Sequence, residues 1–423
     1  MLKEILIKNF MSFKDETIFT MEADSERVSE HPSHVVLIGN NKLLKVASFY
    51  GPNGGGKTNL LKALNLLAIV QQGGALNMDN VDYSCIYSNS KEIEQTVFFV
   101  DEKYEIGYKL VTVPEQNASE SPFEIVSGDI KDKIRINFTA FKIEKEEIIF
   151  RENGEDTFSS LIERLANGSI KTSYFDGLIT SKDFKLAKTK SVLRYFYDTF
   201  ANRDNELQKD LDVIKHLMKQ IRLVINLERQ RPTKYNLQLI KNNTNQLVKL
   251  LNEVDIRINS IKIYERKTNP VYFVREINQG DGIVSKEIPL TMESKGTQKI
   301  FNLFLSILEN INNGGIFICD DMNAFLHPKL YRAIVKMFQE NESLSQLIFN
   351  SHDILNMDNE LFRRDEIWFA YRDEEYGTKL VPLSNIVNYK GEQIRKDAKY
   401  YKQYLEGKYG ADPFIKRGLS WND

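Results

Sequence analysis

Four short stretches carry residue types and spacings that suit chemistry on a phosphoanhydride. The first is Gly51-Pro52-Asn53-Gly54-Gly55-Gly56-Lys57-Thr58-Asn59. Glycines let successive backbone N–H groups turn inward and cradle an anion, and the lysine and hydroxyl that follow complete the full P-loop pattern. Read this way, Lys57 reaches the β- and γ-phosphates, the Thr58 hydroxyl sits on Mg²⁺, and the run through Asn59 contacts the nucleotide. A helix beginning there would point its positive end at the same phosphates.

The second stretch is Ile316-Phe317-Ile318-Cys319-Asp320-Asp321. An apolar strand ending in two aspartates can deliver Asp320 to the Mg²⁺ shell, and Asp321 can then orient or deprotonate an attacking water. The third, Glu293-Ser294-Lys295-Gly296-Thr297-Gln298, reads as a second anion site at a helix start, with Ser294 and Gly296 as its contacts. The fourth, Asn350-Ser351-His352-Asp353, places His352 beside the γ-phosphate as a group that senses it. Each of the last three also has a plainer reading: a surface turn, an ordinary N-cap, an incidental loop histidine. Their order after a complete P-loop is what gives them the functional one.

These residues need a scaffold, and the flanking pattern supplies it. Leu2 to Phe10 reads as a strand, and Val35 to Tyr50 holds at least one more. Val46 to Tyr50 is a short apolar run that ends directly in the glycine loop, as a strand buried on both faces would. After the loop, Leu60, Leu61, Ala63, Leu64, Leu67 and Ala68 recur at helical spacing. Strand, glycine loop and helix are the context a P-loop requires. Residues 95–152 read as antiparallel β structure, with Asp101 to Lys103 as a turn and the polar run Pro114 to Ser127 as a loop. Ile316 to Cys319 and Gln346 to Phe349 are further short strands before polar loops. The expected class is α/β with a largely parallel central sheet, an antiparallel β subdomain and a helical insertion.

That insertion shows a heptad seam at Leu207, Leu211, Ile214, Met218, Ile221 and Ile225. A second runs through Leu237, Ile240, Thr244, Leu247, Leu251 and Val254, after a break at Arg231-Pro232. The seams fit an antiparallel hairpin with arms of roughly 35 Å at 1.5 Å per residue, and equally two amphipathic helices folded onto a globular body. The boundaries expected are 1–155 for an N-terminal lobe with the P-loop, 156–260 for the insertion, and 261–423 for a C-terminal lobe.

The totals exclude several classes. With 57 Lys and Arg against 59 Asp and Glu, the net charge is −2, so no global positive field draws the chain onto nucleic acid. The best local candidate for such binding is Lys182, Lys185, Lys188, Lys190 and Arg194, followed by Tyr195, Phe196 and Tyr197. Such stretches also occur as solvated helix faces. Two distant cysteines, Cys85 and Cys319, suggest neither a disulfide framework nor a zinc knuckle. No signal-peptide core and no membrane-length apolar run occurs, so a cytoplasmic, soluble protein is expected. His31 and His34 lie in a polar run and are not read as metal ligands.

The four motifs in this order resemble the ABC-type ATPase heads of the SMC/RecF/OLD-like class. They resemble most the group of RloA, abortive-infection and PARIS-type bacterial defence ATPases. Asn9-Phe10-Met11-Ser12-Phe13, Ser294 to Gln298, Phe325-Leu326-His327-Pro328, Arg364 to Phe369 and Tyr404 to Ala411 carry the narrower likeness. It covers roughly 1–110 and 260–415. The resemblance implies that two heads sandwich two ATPs, with Ser294 and Gly296 of one head on the γ-phosphate held by Lys57 and Thr58 of the other. It also implies a D-loop at Asn323 to Leu326, and ATP and Mg²⁺ as cofactors.

The chain departs from the family in one place, with Asp321 where a glutamate is usual. One carbon–carbon bond fewer withdraws the carboxylate by about 1.5 Å, and a misplacement of about 1 Å can cost on the order of a hundredfold in rate. Slow hydrolysis is expected.

OLD nucleases carry a Toprim domain after the ATPase. Here about 70 residues follow His352, with no Asp-x-Asp among them, so an effector nuclease or toxin is expected on a separate chain. Three readings follow from the residues and the likeness together. They are the sensor ATPase of an anti-phage system, assembled as a homodimer or higher oligomer; a RecF-like repair factor that binds DNA; and an ATP-dependent scaffold with little turnover.

Overall fold

The computed structural model describes residues 1–25, 30–71, 83–100, 105–127, 130–152, 155–159, 234–265, 267, 270–280, 282–324, 326–387, 391–395 and 397–411. The chain opens with β1 (Leu2–Lys8) and β2 (Thr17–Thr20), continues through a small hairpin of β3 (Val35–Ile38) and β4 (Asn41–Leu44), and reaches β5 (Val46–Tyr50). Helix α1 (Lys57–Gln71) follows the glycine loop. Strands β6 (Ile93–Val100), β7 (Glu105–Ser127), β8 (Ile130–Glu152) and β9 (Glu155–Ser159) then run as a meander. With β1 and β2 they form a six-stranded sheet in the order β2-β1-β6-β7-β8-β9.

Two helices, α2 (Lys234–Asn242) and α3 (Thr244–Glu253), lead into a three-stranded antiparallel sheet of β10 (Ser260–Ile263), β11 (Val271–Asn278) and β12 (Ile283–Pro289). The remainder alternates: α4 (Lys295–Asn313), β13 (Ile316–Cys319), α5 (Pro328–Glu340), β14 (Gln346–Asn350), β15 (Ile367–Arg372), β16 (Thr378–Pro382) and α6 (Tyr400–Leu405). The central sheet has the order β13-β14-β5-β15-β16. Its first four strands are parallel and β16 is antiparallel to β15.

The apolar runs become central strands because both sheet faces are covered. Ala47, Phe49, Ile316, Ile318, Ile348 and Trp368 pack into one buried cluster with α1 and β1. Their neighbours Val46, Tyr50, Phe317, Leu347, Phe349, Ile367 and Phe369 pack into another with α4 and α5. Successive residues of a strand point to opposite faces, so a strand buried on both needs no polar alternation.

Two expectations change. Pro114 to Ser127, read as a loop, is the outer half of β7 and pairs with β8 along its length, from Glu105 opposite Arg151 to Ser127 opposite Ile130. A polar sequence can be a strand when a partner strand satisfies its backbone, whether or not its side chains find a core.

The second seam is not one arm. It is broken between α2 and α3, where Asn243 donates its side-chain amide to Leu239 O at 2.8 Å and Thr244 its hydroxyl to Ile240 O at 2.8 Å. Leu237, Ile240, Leu247 and Leu251 are buried in the same cluster as Phe301 and Phe304 of α4. This half of the seam therefore folds onto the body. The first seam, at 207–225, and the cationic stretch at 182–197 lie outside the described residues, as does the expected turn at 101–103.

His34, read within a polar run, is 6% exposed in a 3₁₀ turn with Nδ1 3.0 Å from Glu366 Oε2. His327 caps α5 by accepting from Lys329 N, with Pro328 at the first helical position; Phe325 lies outside the described residues. Among the described residues no helix is long and apolar enough to cross a membrane.

Candidate functional site

The carboxyl ends of the four parallel strands meet at one place. Strand β5 runs into the glycine loop, β13 into Asp320 and Asp321, β14 ends at Asn350 just before His352, and β15 ends at Arg372. In open parallel sheets this edge is where ligands bind. A cleft of about 290 Å³ opens there, lined by Asn53 to Asn59 with Asp321, His352 and Arg372.

The glycine loop lies against β15 and β16, and its sequence follows from that contact. A Cβ on Gly51, which has φ 132°, would stand 2.2 Å from Ala370 O. One on Gly56, at φ 107°, would stand 2.3 Å from Thr378 Oγ1. Only glycine fits either position. Pins that the sequence reading missed come from outside the loop. Arg372 Nε donates to Gly54 O at 2.8 Å, and Thr378 Oγ1 lies 3.0 Å from Gly55 O and 2.8 Å from Ser12 Oγ. Asn59, expected among the nucleotide contacts, borders the cleft but donates its side-chain amide to Ser12 Oγ at 2.7 Å.

Lys57 begins α1 and is 5% exposed. Its Nζ donates to Gly51 O at 2.8 Å and Pro52 O at 3.0 Å. Burial holds its pKa below the ordinary lysine value, while Asp321 and Asp320 oppose that shift. A desolvated ammonium beside inward-facing amides is a strong attractor for a phosphate.

Thr58 and Asp320 come together, with the hydroxyl donating to Asp320 Oδ1 at 3.0 Å. Two adjacent hard oxygens from a hydroxyl and a carboxylate suit Mg²⁺, which takes few protein ligands and leaves its other positions to phosphate and water. The residues present fit that ion, and it would supply charge neutralisation for the β- and γ-phosphates. Asn350 ties the pair together. Its Nδ2 donates to Asp320 Oδ1 and lies 3.4 Å from Thr58 Oγ1, and its Oδ1 accepts the Asp321 N–H. The only clue to it in sequence was its place at the end of a strand.

Asp321 has φ 47°, in the left-handed region that aspartate tolerates better than most residues. Its Oδ1 is 3.8 Å from His352 Nε2, both side chains being about half exposed. The His352 pKa is depressed by partial burial and then by the Lys57 cation, against the pull of Asp321 and Asp320. Both depressing effects favour the neutral imidazole. Asn323 holds this segment by accepting from Ser351 Oγ and from His352 N, each at 3.1 Å.

Ser294 caps α4, accepting from Thr297 N at 3.1 Å. Neither Ser294 nor Gly296 is among the residues lining the cleft.

A P-loop, an aspartate pair and a histidine just beyond a strand, all at the carboxyl edge of this sheet, define a P-loop nucleotide-binding fold. In sequence, residues 46–358 match the family described as "AAA domain, putative AbiEii toxin, Type IV TA system". The chain belongs to that family. No curated protein matches it in sequence.

Similar solved structures are SMC heads. The SMC head domain from Thermotoga maritima is 12% identical with a TM-score of 0.38, over 90% of this chain and 98% of that one. An SMC head bound to the C-winged helix domain of ScpA is 13% identical at 0.41, over 90% and 96%. A head with an extended coiled coil, bound to the C-terminal domain of ScpA derived from Pyrococcus furiosus, is 10% identical at 0.41, over 90% and 95%.

Proposed function

We propose that this chain binds ATP–Mg²⁺ at the cleft, closes with a second copy around it, hydrolyses it slowly, and so acts as sensor and regulator of a separate effector in anti-phage defence. One observation carries the reading. The P-loop, Asp321 and His352 line one cleft, and Asp320 adjoins it through its hydrogen bond from Thr58, while the helix start at Ser294 and Gly296 is not part of its lining. A site built in two pieces on one chain is completed when another chain brings the missing piece, and hydrolysis then reports assembly.

Within this reading Lys57, Thr58 and the loop amides hold the phosphates, and Asp320 with Thr58 holds Mg²⁺. Asp321 orients or deprotonates the attacking water, and His352 donates toward the γ-phosphate. The family description, which names a putative toxin of a toxin–antitoxin system, supports a role in defence.

The test is the solution mass of the purified chain without nucleotide, with ATP–Mg²⁺ and with ADP, alongside phosphate release. ATP is expected to drive or reshape assembly, and Lys57→Ala to abolish that. A mass and shape indifferent to nucleotide, with no phosphate released, would overturn the composite site.

A further inference from the structure

The reacting end of the cleft is marked by Asp321 and His352. Among its lining residues, the other side chain from outside the glycine loop is Arg372. Arg372 leads to an aromatic pair that the phosphate chemistry does not use. Its guanidinium carbon lies 5.8 Å from the centre of the Tyr87 ring. The Tyr87 and Tyr376 rings stack with centroids 5.6 Å apart and planes 20° from parallel. Both rings are open to solvent, Tyr87 at 41% and Tyr376 at 63% exposure.

The backbone at Tyr376 adds a second observation. It stands at φ 63°, a conformation that is unfavourable for an aromatic residue and easy for glycine or asparagine. The turn around it is tightly held. Tyr376 N donates to Asp373 O at 3.1 Å, Gly377 N to Asp373 Oδ1 at 2.8 Å and Glu375 N to the same oxygen at 3.0 Å. Lys379 pairs with Asp373 at 3.4 Å, and Arg372 Nη1 donates to Tyr376 O. A rigid turn thus keeps a costly residue in place and sets its ring outward, beside an anion-binding cleft. Strain retained where it contributes nothing to the core points to a ligand.

We infer that Tyr87, Tyr376 and Arg372 form a stacking platform for the base of the nucleotide whose phosphates the glycine loop holds, with a purine offering the larger face. This rests on the nucleotide-binding reading above. A flat π-system gains from an aromatic face whichever base it belongs to, and a guanidinium adds a cation–π contact.

Calorimetric titration with ATP–Mg²⁺ and, separately, with inorganic tripolyphosphate–Mg²⁺ tests it, because only the first ligand carries a base. Tyr376→Phe keeps the ring and should bind ATP as the unaltered chain does. Tyr376→Asn suits the backbone, so thermal stability should hold or rise. Its ATP affinity should fall about tenfold, within the range one base–aromatic stack supplies, with tripolyphosphate affinity unchanged. Tyr87→Leu should lose ATP affinity in the same selective way.

ATP affinity unaltered in Tyr376→Asn would overturn the platform. So would equal losses for both ligands, which would place the effect in the glycine loop, or a Tyr376→Phe variant as weak as Tyr376→Asn. If the unaltered chain binds neither ligand, it is the nucleotide reading itself that fails.

Discussion

Asn350 makes three contacts at once, to Asp320, to the Asp321 amide and at longer range to Thr58. A hydrogen bond to a charged group is worth about 1.5–3 kcal/mol, and roughly 1.4 kcal/mol is a factor of ten in rate. Asn350→Ala should therefore lower phosphate release by about ten- to a hundredfold. ATP affinity, carried by the loop amides and Lys57, should stay within a few fold. Steady-state turnover and a binding titration on the same variant separate the two, and unchanged turnover would remove Asn350 from the machinery.

Asp321 poses a contest of magnitudes. Under the proposed mechanism a glutamate here would extend the carboxylate by one carbon–carbon bond, worth up to about a hundredfold or about 2.7 kcal/mol. Glutamate at φ 47° is less at ease than aspartate, at a cost of about 1 kcal/mol. The gain is larger, so Asp321→Glu should turn ATP over faster while melting slightly lower. A variant no faster than the unaltered chain would refute the short-carboxylate explanation.

At the scale of elements, the glycine loop is shaped by the β15–β16 hairpin beneath it as much as by its own residues. Gly56→Ala would set a methyl 2.3 Å from Thr378 Oγ1 at a backbone φ of 107°. Both penalties fall on the loop that carries Lys57. This variant should lose measurable ATP binding and melt several degrees lower. Gly296→Ala is the contrast, since a Cβ there meets nothing closer than Ser294 Oγ at 3.7 Å. It should fold and melt as the unaltered chain does. Differential scanning fluorimetry with and without ATP–Mg²⁺ distinguishes them.

For the whole molecule the question is whether two copies share each site. Lys57→Ala disables the phosphate cradle and Ser294→Arg obstructs the helix start outside the cleft, so each variant alone should release little phosphate. Mixed in equal amounts, half the dimers pair one of each and contain one intact composite site. About a quarter of the unaltered activity should then return. No recovery on mixing would mean that Ser294 acts within its own chain.

The central strands, the glycine loop and its helix were legible in sequence because local rules govern them. A strand buried on both faces must be apolar throughout, and a phosphate loop requires glycines at set positions before Lys57. Asp320, Asp321 and His352 were found the same way, from apolar strands ending in polar residues. Asn350, Arg372, Ser12 and Thr378 were not, because their roles come from partners far along the chain that only strand order brings near. The broken seam at Asn243 and the strand hidden in Pro114 to Ser127 escaped for a related reason. A polar stretch becomes a strand when another strand meets its backbone, and an apolar periodicity becomes two short helices when side chains bond back to the preceding turn. Sequence by itself thus identified the strands and the residue types that gather at the carboxyl edge of the sheet. Tertiary structure alone decided which residues hold that edge in place, because a hydrogen bond between positions hundreds of residues apart leaves no local pattern.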